Sequence, residues 1–579
     1  MEFKLLFYTF LYLISIIFVS ADGETVLTTH GLVSGKILKT LFKETQYHGF
    51  MGIPYAAPPV KDLRFMPPKD IEPWTGVLKA TKEKPPCLQY NYNVKKSDSI
   101  GQCGVEDCLY LDIFTPAVDE NKRGVVVFLY NEYFRYSYNK TKDYAPDFFI
   151  EEDVIVVEIS HRLSVLGFLS LEDDILPGNS GLKDVVKALE WINSNIERFG
   201  GDANKITLMG FKGGAAAIDL LLHTKAKSLI NGAILHSGTS LSPDILQDDV
   251  RERAFKLGEL LEIGTTSSSK LLKYFNDVTP EKLLSKDFRS LPDDYYKENQ
   301  KPLLAFGPVI EVNSDGLVLQ YPERMHDPIN IPIMIGSNSR EGLDSAIDYL
   351  ADPKRMVYIE KDFHFLLPIR TETKFDPLKD DYYKAIEEIK NFYFKKGKVT
   401  LKSVSDYVTY IGDVLTSYPV DVMTRMYASK VAKPLYYYHF DYYSELNANK
   451  NRILALSKVS DGTWGATSGD ELCYLFKCPS LKKNYLKLKK SMSEEIILQR
   501  KLVKLWSNFI KYGSPTPGHN NPLENFEWPE YNLETKEYLH IGKNIEIRRN
   551  LFGDRFEFWD KFLTRWPKIL KNLREKDEL

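Results

Sequence analysis

Val125 to Tyr130 and Val154 to Ser160 are apolar at nearly every position, without the alternation of a half-exposed strand. Such strands are stable only when both faces are covered. The chain is therefore constrained to a sheet with helices packed on both sides. Leu182 to Phe199 repeats with helical periodicity, with Val185, Val186, Leu189, Trp191, Ile192 and Ile196 on its buried side, and Gly200-Gly201 stops it. Ile206 to Met209 reads as a short strand, Gly210 to Gly214 as a turn and Ala215 to Leu222 as the start of a helix. Gly232 to Leu235 and Ile331 to Ile335 read as further strands. Strand, sharp turn, helix, strand is the α/β pattern with a mostly parallel sheet. Glu494 to Tyr512 carries the apolar stripe of a packed amphipathic helix.

The ends of the chain point to the secretory pathway. Lys4 precedes an apolar run from Leu5 to Val19, and Val19-Ser20-Ala21 offers small residues for cleavage. Residues 1–21 are thus expected to be a signal peptide, with a mature chain starting at Asp22 and containing no membrane span. The last four residues, Lys576-Asp577-Glu578-Leu579, match the address that a retrieval receptor reads, so the expected location is the endoplasmic reticulum lumen. That lumen permits disulfides. The five cysteines, Cys87, Cys103, Cys108, Cys473 and Cys478, leave at least one thiol over, and spacing alone does not fix the pairing. Asn139-Lys140-Thr141 is an N-glycosylation acceptor sequence. A net charge of -3 gives no reason to expect nucleic acid or an anionic membrane as partner. No repeat or Gly/Ser-rich linker divides the chain, and a length of 579 residues buries a large core without disulfide help. His161 and His236, at the ends of strand-like runs, read as structural, and no Cys or His spacing resembles a zinc site. No metal or cofactor is expected.

Phe50-Met51-Gly52-Ile53-Pro54-Tyr55-Ala56-Ala57-Pro58-Pro59 with Leu63-Arg64-Phe65, then Glu106-Asp107-Cys108-Leu109-Tyr110-Leu111, then Gly178 to Asp184 and Phe199-Gly200-Gly201-Asp202 follow one another as ordered blocks. Together they resemble the type-B carboxylesterases and cholinesterases of the α/β-hydrolase fold. The first looks like that family's N-terminal block, the second is similar to its cysteine signature, and the last two resemble the approach to its nucleophile. The resemblance runs from about Thr25 to Trp566. It implies one domain over residues 22–566, a charged tail over 567–579, a central mostly parallel sheet with helices on both faces, and a disulfide between Cys87 and Cys108. Cys473 and Cys478 are close enough in sequence for a local bridge, but the pairing of Cys103, Cys473 and Cys478 stays open.

The same resemblance locates a site. Ester hydrolysis in this fold needs a serine on a strained turn, a histidine, an acid and backbone oxyanion donors. The turn here is Gly210-Phe211-Lys212-Gly213-Gly214, so Lys212 stands at the nucleophile position. Glu341, in Ser339-Arg340-Glu341-Gly342, matches the acid. Ser468, before Gly469-Asp470-Glu471-Leu472, stands at the base position. Asn131, Glu132 and Tyr133 match the glycines of the oxyanion loop, and Gly213 follows the nucleophile position. Losing nucleophile or base in a serine hydrolase costs on the order of 10⁶ in kcat. On this template the chain is expected to be no enzyme, and to act as a lumenal binding or interaction protein toward a lumenal protein or a hydrophobic ligand. The alternatives are a carrier of hydrophobic ligands and an ester hydrolase with altered, lysine-based chemistry. Lys212 is expected to be either a reactive neutral amine or an ammonium neutralised by Glu132 or Glu341.

Overall fold

The two apolar runs lie side by side at the centre of an 11-stranded sheet. In this computed structural model the described residues are 23–91 and 101–566, apart from 139, 292–296, 298, 303, 325–327, 364, 372–373 and 431. The expected signal peptide, the Asn139 acceptor and the Lys-Asp-Glu-Leu ending lie outside the described residues.

The strands in chain order are β1 (Lys36–Lys39), β2 (Gln46–Pro54), β3 (Tyr110–Thr115), β4 (Arg123–Asn131), β5 (Ile155–Ile159), β6 (Gly201–Lys212), β7 (Gly232–His236), β8 (Ile333–Asn338), β9 (Leu435–Phe440), β10 (Glu537–Ile541) and β11 (Ile545–Arg549). Across the sheet they run β11-β10-β9-β8-β7-β6-β4-β5-β3-β2-β1. The pairings from β5 through β4, β6, β7, β8 and β9 to β10 are parallel, and those at both margins are antiparallel. This is the α/β-hydrolase architecture, with its mostly parallel centre.

Alternate residues of β4 enter opposite layers, which explains why the run lacks polar positions. Val125, Val127 and Leu129 pack in one core with helix α1 (Ser180–Asn195), through Leu182, Val185 and Ile192. Val126, Phe128 and Tyr130 pack in the other with helix α4 (Glu494–Tyr512), through Trp506 and Phe509. The β5 run contains one buried carboxyl. Burial, and the charge of Asp112 opposite it, push Glu158 well above the usual carboxylate range, so it sits there neutral.

Two boundaries that shape the site differ from expectation. The segment Gly210–Lys212 is strand, not turn, because Gly210, Phe211 and Lys212 stay paired to Leu129, Tyr130 and Asn131 of β4. The chain reverses only at Lys212, and helix α2 (Gly213–Leu222) starts at the next residue. The strand expected over Ile331 to Ile335 begins two residues later and continues to Asn338, in register with β9. Cys87–Cys108 and Cys473–Cys478 are both disulfides, and Cys103 is the free thiol. Among the described residues no helix is long and apolar enough to cross a membrane.

Candidate active site at the carboxyl end of the sheet

The sharp change of direction after β6 is set by two glycines and one strained residue. A Cβ on Gly210 would lie 2.5 Å from the Ala215 nitrogen, and one on Gly214 would lie 1.9 Å from the Leu129 carbonyl oxygen. Neither position tolerates a side chain. Lys212 between them has φ 48° and ψ -113°, a conformation costly for a residue with a Cβ. The geometry of a nucleophile elbow is therefore present, with a lysine at its tip.

Lys212 is buried, with 6% of its surface exposed. Its Nζ donates to a carboxylate oxygen of Asp344 and lies 3.4 Å from Glu132 Oε2. The rings of Tyr133 and Phe211 lie 5.1 and 5.6 Å from the same nitrogen. Burial works against the charge, but Asp344 and Glu132 outweigh it and hold the ammonium well above the usual lysine range. An ammonium has no lone pair, so Lys212 is not a nucleophile or a Schiff-base amine in this state. The expected partner Glu132 is in place. Glu341 is not the second partner; Asp344, three residues on and at the end of the same short helical turn, takes that role.

Glu341 faces a different set of groups. Its Oε1 accepts from Ser237 Oγ at 2.7 Å and from the Asn338 backbone N–H at 2.5 Å, and its Oε2 accepts from Ser468 Oγ. It is 3% exposed. Burial pushes its carboxyl up to about 7, and the negative field of Glu471 adds to that, against three hydrogen bonds that favour the charged form. The acid and base positions named from sequence are therefore joined directly.

The Ser468 loop is fixed from behind. Asn338 Nδ2 donates to the Thr467 carbonyl at 2.6 Å and to Glu471 Oε2 at 2.5 Å. Glu471 also meets His236 Nδ1 at 3.1 Å, and His236 stacks on Trp506 with ring centroids 6.0 Å apart. His236 is thus structural, as expected. So is His161, fully buried and held by the Arg162 carbonyl at 3.0 Å and Asn131 Nδ2 at 3.3 Å.

The oxyanion loop is filled. Asn131 Oδ1 accepts from the Phe134 N–H at 3.1 Å and would lie only 2.0 Å from a Cβ on Gly213. Tyr133 and Phe134 both take positive φ, at 54° and 53°, to turn the loop back. Glu132 is held by Tyr130 Oη at 2.6 Å. Asn131, Glu132, Tyr133 and Gly213 are therefore gathered around Lys212. Among the described residues no cluster of three or more His, Cys, Asp or Glu side chains is arranged to hold a metal.

Sequence reasoning missed Asp344, although its spacing of three residues from Glu341 was a usable signal. Ser237 is legible as part of a Leu235-His236-Ser237-Gly238 block that resembles the family's, and not as a nucleophile; its hydrogen bond to Glu341 depends on β7 and β8 being neighbours.

Comparison with known proteins adds what geometry does not supply. The family model described as "Carboxylesterase family" matches residues 22–559. Juvenile hormone esterase of Tribolium castaneum is 30% identical, over 96% of this chain and 97% of its own length. Esterase FE4 of Myzus persicae is 29% identical over 88% of this chain and 89% of its own. Carboxylesterase 1E of Mus musculus is 28% identical over 93% of each. These relatives carry esterase names and match along nearly the whole length, which overturns the expectation that the chain is no enzyme. That expectation rested on the replaced serine, histidine and oxyanion glycines of the family template. It did not have the direct contact of Ser468 with Glu341, nor Asp344 as the partner of Lys212, both of which only the fold brings together.

Proposed function

The chain belongs to the carboxylesterase family, and on that ground we propose that it hydrolyses carboxylic esters through a Ser468–Glu341 pair, with Lys212 as a fixed cation. The observation that carries this reading is the hydrogen bond from Ser468 Oγ to a carboxyl that titrates near 7. A base of that pKa is half-ionised at neutral pH, which suits general-base work. Glu341 takes the Ser468 proton as Oγ adds to the ester carbonyl, and returns it to the departing alcohol. Water then releases the acyl group from Ser468 by the same proton route. The Lys212 ammonium offsets the negative charge that develops on the carbonyl oxygen, a role that the filled oxyanion loop leaves to a side chain.

The test is hydrolysis of a short-chain nitrophenyl ester by the purified chain, with fluorophosphonate labelling read by peptide mapping. The reading requires label on Ser468 and a rate above that of the Ser468→Ala/Glu341→Gln double variant. Equal rates for the two proteins would reject it.

The proposal extends to place. Two disulfides support folding in an oxidising compartment. The apolar run after Lys4 and the Lys576–Leu579 address support entry into the endoplasmic reticulum and retention there. Removing the last four residues is expected to send the protein to the medium. Unchanged retention on their removal would count against the address.

A further inference from the structure

Helix α3 (Lys482–Ser491) and the turn that joins it to α4 carry a dense run of positive charge. From Lys482 to Lys501 there are seven lysines and arginines against two carboxylates, Glu494 and Glu495, in a chain whose net charge is -3. The whole-chain balance averages this away. The inward face of α3 is Tyr485 and Leu488, both buried. The outward face is Lys483, Leu486, Lys487 and Lys490, spaced as one helical stripe.

Two further observations bear on what this face meets. Lys487 is paired to Glu445 at 2.9 Å. Lys482, Lys483, Lys490, Arg500 and Lys501 have no ion pair or side-chain hydrogen bond among the described residues, so their charge is not neutralised within the fold. Large apolar side chains stand in the open among them. Leu486 is 44% exposed, Met492 55% and Ile497 44%. The fold leaves much of these three side chains in water.

We infer that α3 and the α3–α4 turn form a docking face for an anionic lipid surface. Unneutralised lysines attract anionic headgroups, and exposed Leu, Met and Ile side chains between them enter the headgroup boundary. A soluble acidic partner would use the charge but leave the interleaved apolar groups unexplained. A bilayer surface uses both. The face is built from none of Ser468, Glu341 and Lys212.

The test is flotation of the full purified chain with vesicles of phosphatidylcholine alone or phosphatidylcholine with phosphatidylserine. Binding is expected only when phosphatidylserine is present, and it should weaken as salt rises. Lys482→Gln/Lys483→Gln/Lys490→Gln is expected to lower binding about a hundredfold. The same change at Lys395, Lys396 and Lys402, lysines elsewhere on the surface, should leave binding unchanged. Leu486→Ser/Met492→Ser, with every charge kept, is expected to lower it about tenfold. Circular dichroism confirms that each variant is folded. Equal binding to both vesicles, or equal loss from the patch and control triples, would overturn the inference. Retention on soluble polyglutamate without vesicle binding would overturn it too, by assigning the face to an acidic protein.

Discussion

Lys212 and Glu341 are buried to nearly the same degree, at 6% and 3% exposure, yet their surroundings give them different states at neutral pH. Lys212 keeps its charge firmly because two carboxylates face it. Glu341 is poised between charged and neutral because its partners are two hydroxyls and an amide, with no cation among them. Burial alone therefore does not set the protonation state of this site. The partners do, and they divide it into a fixed cation and a titratable carboxyl.

The most telling change removes the titratable half. Glu341→Gln is expected to lower ester hydrolysis by about 10²- to 10⁴-fold, read as kcat/KM. In the wild type, kcat/KM should rise with pH through about 7, as Glu341 loses its proton. The linked stability runs the other way. The folded pKa lies above the unfolded one, so the contribution of Glu341 to stability is full at low pH and is lost as pH rises through about 7. Denaturant titrations across that range should show the fall, and Glu341→Gln should flatten it.

Disturbing the fixed half acts mainly on stability. Asp344→Asn/Glu132→Gln leaves Lys212 as an uncompensated buried cation, and is expected to destabilise the fold by about 3–5 kcal/mol in urea. Adding Lys212→Met should restore most of that loss, since the charge then needs no partner. A loss that persists in the triple variant would show that the acidic pair serves the fold by another route. Ser237→Ala gives the smallest effect. It removes one donor to charged Glu341, so the inflection of the pH–rate profile should move upward by less than about one unit. An unmoved profile would mean that Ser237 does not tune the base.

The elbow shows how much of this was legible. Gly210 and Gly214 mark the tight reversal in the sequence, because only a glycine fits where a Cβ would strike Ala215 and Leu129. The exact end of the strand was not legible. Whether Gly210 to Lys212 is strand or turn depends on pairing with β4, some eighty residues earlier in the chain. The Cys87–Cys108 bridge followed from family resemblance, while Cys473–Cys478 rested on closeness in sequence; both are found. The expectation of no catalysis failed for a related reason. A template matched residue by residue registers Lys212 and Ser468 as losses, whereas likeness along nearly the whole chain to relatives named as esterases overturns that expectation.

Local sequence was enough to specify a covered parallel sheet and the place of its sharp turn, because periodicity and glycine placement are properties of short stretches; the acid and base positions, Glu341 and Ser468, came from resemblance to the family. Three facts came from the assembled fold instead. Asp344 rather than Glu341 neutralises Lys212, Ser237 reaches Glu341, and the free lysines of α3 surround exposed apolar side chains. The first two depend on distances between elements far apart in the chain and the third on which side chains the packing of α3 leaves exposed, and electrostatic coupling and exposure follow distance in space, not separation in sequence.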